Sequence, residues 1–442
     1  MKILQVLNHY LPYQVAGTEV YTSLLSKYLH QQGIIVKVVI PNYGASGNAL
    51  YVHEYIPVIA YAEPSEVDRS LIMGLRKPDG LKYFEELLVQ EQPNIVHFHE
   101  LAGSNGVTVH HVERAKALGF KVVTTLHLAR YTCKTGNLLY ENKSLCDGVI
   151  DIEKCTRCNF VVKGLSNFRI NALLPLSWIA YKLNINLTKS DSSLSTAIGF
   201  PFLIDKIKTD LQRLYNSSDK VVTLTSWYKT VLQSNRVPRD KIVHIPQALP
   251  FLEEIITSTT SVEARLPIRL MYIGRISPIK GVHLLLEAVK GLPCDKIILH
   301  IYGQEMGDAY SASCREQSVG LPNVKWMGKI DPNSVVKTMQ KYQAVCIPSV
   351  CSEMSPLVIQ EAFAAAVPVI ASDVHGNSEQ ITHNKNGLLF KFNNSDALKY
   401  ELQCIIENPE LLVTLGKNIQ PPQNFNVVGM AYLELYQELL RT

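Results

Sequence analysis

Short apolar runs alternate along this chain with turns and amphipathic helical stretches, and the alternation starts twice. In the first half the runs are residues 2–7, 35–40, 94–97, 121–126, 220–223 and 242–245. In the second they are 267–273, 296–302, 323–326, 344–347 and 367–371. Runs this short and this apolar suit strands covered on both faces, the condition of a parallel sheet with helices on each side. Between the first two runs, residues 18–32 put Val20, Leu24, Leu25, Tyr28 and Leu29 on one helical face, and Gly33 ends the helix. The pattern predicts an α/β chain of two tandem Rossmann-like domains, 1–250 and 266–420. Residues 249–266 lack periodicity and read as the linker. A final helix over 427–440 follows the breaker Pro421-Pro422, and the segment 421–442 is expected to pack back on the first domain.

The 442 residues suffice for two such domains. A charged fraction of 19% and a hydrophobic fraction of 47% exclude a disordered chain, and a net charge of +4 is too weak to point to nucleic acid. No apolar run approaches the ~20 residues of a membrane span. The opening MKILQVLNHY is too short and polar for a secretion signal, so a cytoplasmic protein is expected. Nine cysteines there do not form a disulfide framework. Five are scattered (Cys294, Cys314, Cys346, Cys351 and Cys404) and read as small core residues.

In the second domain, Tyr272-Ile-Gly-Arg-Ile-Ser-Pro-Ile-Lys-Gly281 leaves a strand and enters a helix. Arg275 and Lys280 there are either solvated cations or a diphosphate site beside a helix N-terminus. Further on, Glu353 lies in a loop, Ser355 is a good N-cap and Pro356 a good first helical residue. The N–H groups of Leu357 and Val358 are then free for an anion. Glu361 precedes an apolar run that should be buried, which argues against a solvated glutamate and for a carboxylate that accepts from a vicinal diol.

The run SEMSPLVIQEAFAAAVPVIASD, with Glu353 and Glu361 spaced Glu-x7-Glu, His375-Gly-Asn-Ser-Glu379 and Asn386-Gly-Leu-Leu-Phe390, resembles the retaining glycosyltransferases of family 4. The resemblance covers residues 1–50, 90–128 and 215–442. It implies the two-Rossmann GT-B fold and transfer of a sugar from a UDP- or GDP-sugar to a glycan or lipid-linked acceptor, as in polysaccharide biosynthesis. No catalytic metal is expected. Glu361 would bind the ribose, Glu353 the donor sugar, and Arg275 and Lys280 the diphosphate with the Leu357 and Val358 amides. Gly17, in Val15-Ala-Gly-Thr-Glu19, matches the family's donor-phosphate loop, and His127 its histidine near the donor sugar. The sequence departs from the family at Ala366, His375, Pro356 and Ala16, where glycine is common, and at Leu128, where aspartate is usual. His97, His99 and Glu100 in VHFHE are expected to face the acceptor. On the same fold an epimerase, a sugar-phosphate synthase or an inactive partner-binding scaffold are the alternatives.

An insertion over about 129–200 interrupts the first domain. Its Cys133, Cys146, Cys155 and Cys158 have a spacing compatible with a structural zinc, with an iron–sulfur site, a disulfide or unrelated thiols as alternatives. From 154 to 190 there is no acid, while Lys154, Arg157, Lys163, Arg169, Lys182 and Lys189 interleave with Phe160, Phe168, Trp178 and Tyr181. This segment is either a peripheral membrane contact or a basic-rimmed insertion packed on its own domain.

Overall fold

A computed structural model of the chain describes residues 1–103, 105–249 and 264–441. It divides into two compact units, Met1–Pro246 with Asn426–Thr442, and Gln247–Phe425. Most of the stretch read as a linker falls outside the described residues.

The first unit holds strands β1 (Lys2–Val6), β2 (Ile35–Tyr43), β3 (Ala49–His53), β4 (Ile56–Glu63), β5 (Ile95–His99) and β6 (Lys121–Leu126). A small hairpin, β7 (Leu139–Tyr140) and β8 (Ser144–Leu145), precedes β9 (Lys220–Thr223) and β10 (Ile242–His244). The sheet order is β10-β9-β6-β5-β1-β2-β4-β3. Pairing is parallel throughout except β3 against β4. The β3–β4 hairpin was not foreseen. β3 is an edge strand whose Leu50 and Val52 are exposed, so it shows no buried apolar face to read. The helix Phe425–Arg441 closes this unit, and its Tyr432 and Tyr436 are buried against the sheet.

The insertion forms helices Ile152–Val162, Asn167–Lys182 and Ser193–Ile198, followed by Phe200–Ser217. Phe160, Ile170, Phe200, Leu203 and Ile204 give it a core of its own. Asn167–Lys182 runs through Pro175. Among the described residues no helix is long and apolar enough to cross a membrane.

The second unit is a six-stranded parallel sheet of order β13-β12-β11-β14-β15-β16. Its strands are β11 (Ile268–Ile273), β12 (Ile297–Tyr302), β13 (Val324–Gly328), β14 (Ala344–Ile347), β15 (Val369–Ser372) and β16 (Gly387–Phe390). Leu270, Leu285, Leu299 and Ile301 belong to one buried cluster, Met271, Val345, Ile359 and Val369 to another. That is why the strands read as continuous apolar runs. Strand order reverses between β11 and β14, and loops leaving the carboxyl ends of such a pair are where open α/β sheets bind ligands. Both second-domain motifs leave those two strands.

Candidate active site

Two turns build the second-unit site. After β11, Tyr272 Oη donates to the Arg275 carbonyl at 2.8 Å and closes the first turn. Gly281 then takes φ 69°, with the Pro348 carbonyl where a Cβ would stand, so β11 and β14 loops touch through bare backbone. Lys280 Nζ reaches Glu353 Oε1 at 2.6 Å, and Ser349 Oγ donates to the same oxygen at 2.7 Å. Glu353 N–H donates to the His375 carbonyl at 2.9 Å, and Gly376, at φ 88°, lies against the Glu353 carbonyl with no room for a side chain. The sequence assigned Lys280 to diphosphate and Glu353 to sugar; the structure joins them to each other. Arg275 is exposed and makes no ion pair among the described residues. It is the uncompensated cation of the turn.

The helix Leu357–Ala364 starts one residue later than expected. Ser355 sits at φ 116°, outside the extended region a cap needs, so Pro356 takes the N-cap position instead. Leu357 and Val358 still present the first N–H groups, which have no intrahelical acceptor. Glu361 lies partly buried one turn further, and burial pushes its carboxyl up to about 7.

In the first unit, Gly17 opens the helix Gly17–Gln31 beside an extended Ala16. A Cβ there would meet nothing, so neither packing nor backbone conformation demands glycine at this position. His127 follows β6 and is buried, its pKa lowered to about 3 by desolvation. Gln5 Oε1 accepts from His99 Nε2 at 2.6 Å, which leaves His99 Nδ1 to accept from His127 Nε2–H at 3.2 Å. His127 is therefore a neutral imidazole held in one orientation.

The expectation that His97 and His99 face an acceptor is overturned. Both are fully buried. His97 bonds Tyr436 Oη at 2.6 Å and Thr125 Oγ1 at 2.7 Å, under the C-terminal helix. Glu100 has a different role: its Oε2 accepts from the His127 and Leu128 N–H groups, both at 3.0 Å. It thereby fixes the loop that carries His127. Burial pushes the Glu100 carboxyl up to about 8. The left-handed Glu100 backbone, at φ 59°, has no signature in the sequence.

Cys133, Cys146, Cys155 and Cys158 line one small cavity as free thiols. Among the described residues no three His, Cys, Asp or Glu side chains meet as a metal-holding set. Cys133 Sγ lies 3.2 Å from the Thr135 hydroxyl, Cys146 Sγ turns to Asp147, and Cys158 Sγ to the Leu139 carbonyl at 3.5 Å. Burial pushes the Cys155 thiol up to about 11 and raises Cys146 and Cys158, which favours thiols over thiolates.

The basic segment also changes character. Phe160 is in the core, Lys154 pairs with Asp147 at 2.7 Å, and Arg157 with Glu141 at 3.0 Å. What remains outside is the helix Asn167–Lys182 and its flanks. Phe168, Ile179 and Leu183 are 84%, 55% and 65% exposed there, among exposed Lys163, Arg169, Lys182 and Lys189.

Two family profiles match the chain. The one described as Glycosyl transferases group 1 matches residues 262–420, and Glycosyltransferase Family 4 matches 15–146. A phosphatidyl-myo-inositol mannosyltransferase of Mycobacterium leprae is 28% identical over 39% of this chain and 47% of its own length. An uncharacterised glycosyltransferase of Methanocaldococcus jannaschii is 28% identical over 46% of this chain and 54% of its own. The chain thus spans about half the length of these relatives. Among solved structures, Anabaena HepE in complex with UDP superposes with a TM-score of 0.64 at 14% identity, covering 99% of this chain and 100% of that one. The sucrose-phosphate synthase of Thermosynechococcus elongatus does so with 0.62 at 17%, covering both chains fully. At such identities the superpositions speak for the fold alone. The profiles over both units show that the chain belongs to the family 4 glycosyltransferases, and the sheet topology and these superpositions show the GT-B fold.

Proposed function

We propose that the protein is a retaining glycosyltransferase that uses a UDP- or GDP-sugar. The observation that carries this reading is the cluster at the strand-order reversal of the second unit. There Arg275, which makes no ion pair among the described residues, and the Lys280–Glu353 pair stand on adjacent loops, with the first N–H groups and Glu361 of the helix Leu357–Ala364 beside them. Arg275 and Lys280 bind the diphosphate with the Leu357 and Val358 amides. Glu361 accepts from the ribose hydroxyls, and Glu353 turns to the donor sugar. The bond from the anomeric carbon to the diphosphate oxygen breaks, and the acceptor oxygen bonds to that carbon on the same face. The acceptor proton leaves with the diphosphate. The cations stabilise the charge that develops on the leaving group, so no catalytic metal is required. Gly17 and His127 are assigned to the donor by the family resemblance, His127 as a neutral hydrogen-bonding group. UDP is bound in the HepE structures, which favours testing it first.

UDP at a hundredfold its Kd stabilises a protein by about 2.7 kcal/mol, a rise of several degrees in Tm. We expect such a rise with UDP or GDP, followed by sugar transfer or slow hydrolysis of the matching nucleotide-sugar. No shift with either nucleotide would remove the donor assignment. A shift without any sugar release would favour the inactive scaffold, and epimerised or phosphorylated sugar products the other two alternatives.

The exposed apolar side chains of Asn167–Lys182, ringed by cations, favour contact with an anionic membrane surface on the acceptor side. Replacing Phe168 and Ile179 by serine is expected to abolish co-sedimentation with phosphatidylglycerol vesicles. Equal sedimentation of variant and wild type would contradict the contact.

A further inference from the structure

The first unit contains a cavity of about 180 Å³ that the proposed donor chemistry does not use. It opens where β5 and β6 end: Leu101 and Ala102 follow β5, and Arg130 and Lys134 follow β6. One wall is apolar, made by Leu203, Leu211 and Leu214 of the helix Phe200–Ser217 together with Val109. The rim is cationic: Arg76, Arg130, Lys134 and Lys206 stand against a single carboxylate, Asp210.

The ion pairs decide which of these charges is available. Lys206 and Arg213 both bind Asp210, and Arg76 is held by Asp68 and Asp79. Arg130 and Lys134 make no ion pair among the described residues. Glu100, the acid that Arg130 feels, accepts from two backbone N–H groups, and burial pushes its carboxyl up. The Lys134 ammonium is disfavoured by desolvation and by the charges of Lys206, Arg130 and Lys163 and favoured by Asp210, while the residues Lys134 and Arg130 are themselves exposed. Arg130 and Lys134 thus bring two cations to the mouth of a cavity with an apolar wall, offset only in part by the shared Asp210, an arrangement that suits an anion.

We propose that this cavity binds the acceptor, and that the acceptor carries a phosphate or diphosphate on an apolar chain, with Arg130 and Lys134 as its anion-binding pair. The proposal rests on the transferase reading and gives its acceptor a chemical class. The apolar wall takes the chain and the two cations take the oxyanion. Arg130 lies three residues beyond His127 on the same loop, so the insertion that begins there delivers an acceptor contact.

Binding of n-octyl phosphate to the full chain tests this, by calorimetry. Inorganic phosphate and n-octyl glucoside serve as charge-only and chain-only probes. Octyl phosphate is expected to bind saturably, and each single probe at least tenfold more weakly. Arg130→Ala and Lys134→Ala should each weaken octyl phosphate about tenfold, the scale of one charge-assisted hydrogen bond. Lys134→Arg should retain binding, which shows that a loss reflects charge rather than misfolding. Octyl phosphate binding that is absent, or unchanged in both alanine variants, overturns the proposal. Inorganic phosphate binding as tightly as octyl phosphate overturns the apolar half, leaving a free-phosphate site. The UDP shift is read in the same samples. Its absence, with octyl phosphate still bound, would remove the transferase reading and leave the anion site.

Discussion

Arg275→Ala should lower sugar transfer a hundred- to a thousandfold and leave Tm within about 2 °C of wild type. The first figure is the usual cost of removing one preorganised group that stabilises developing charge in a transition state. The second follows from the side chain's surroundings. Arg275 is exposed and has no ion-pair partner among the described residues, so the fold loses nothing when it goes. Lys280→Ala should behave differently. It leaves Glu353 with only Ser349 Oγ on the oxygen that held both, so it lowers stability as well as transfer. Removing Lys280 and Glu353 together should restore Tm without restoring transfer. A rate within fivefold of wild type in Arg275→Ala would place the diphosphate elsewhere. A Tm drop equal to that of Lys280→Ala would make Arg275 a structural residue.

What the sequence made legible follows from where the signals were local. β6, β9 and β14 were read to the residue because a buried parallel strand needs only its own apolar side chains. The loops after β11 and β14 were legible because glycine and proline mark them. The failures were long-range. His97 lies at a strand end, and nothing near it in the chain says that Tyr436, more than 300 residues later, will cover it. That Lys280 and Glu353 also pair with each other was equally illegible, because the pairing crosses 73 residues. The anion cavity draws its lining from separate segments, so no stretch of sequence carries its pattern. The cysteine spacing was compatible with a metal, but spacing does not set where each Sγ points.

The same buried histidines make the first unit sensitive to acid. Burial holds His97 and His99 well below the ordinary histidine range, and His111 and His127 at about 3. In the unfolded chain each of the four binds a proton below about 6.5. Their folded values are lowered, so the stability they contribute is complete above 6.5 and is lost as pH falls toward the folded values. Glu100 acts the other way. Its folded value is raised to about 8, so between about 4.5 and 8 the native state keeps a proton that the unfolded chain releases. The four histidines outweigh Glu100 near pH 5.5, so among these five groups the unfolded state binds more protons there and stability falls as the pH drops. Of these five groups only Glu100 still acts above 7, and its contribution makes stability decline gently there. Amide exchange in β5 and β6 is expected to accelerate sharply between pH 6.5 and 5.5 after correction for intrinsic rates. His111→Gln should remove one proton from that slope, while Glu100→Gln should steepen it. Exchange protection that stays flat from 7.5 to 5.5 would mean that these histidines titrate as solvated groups, and that His127 is free to ionise beside a substrate.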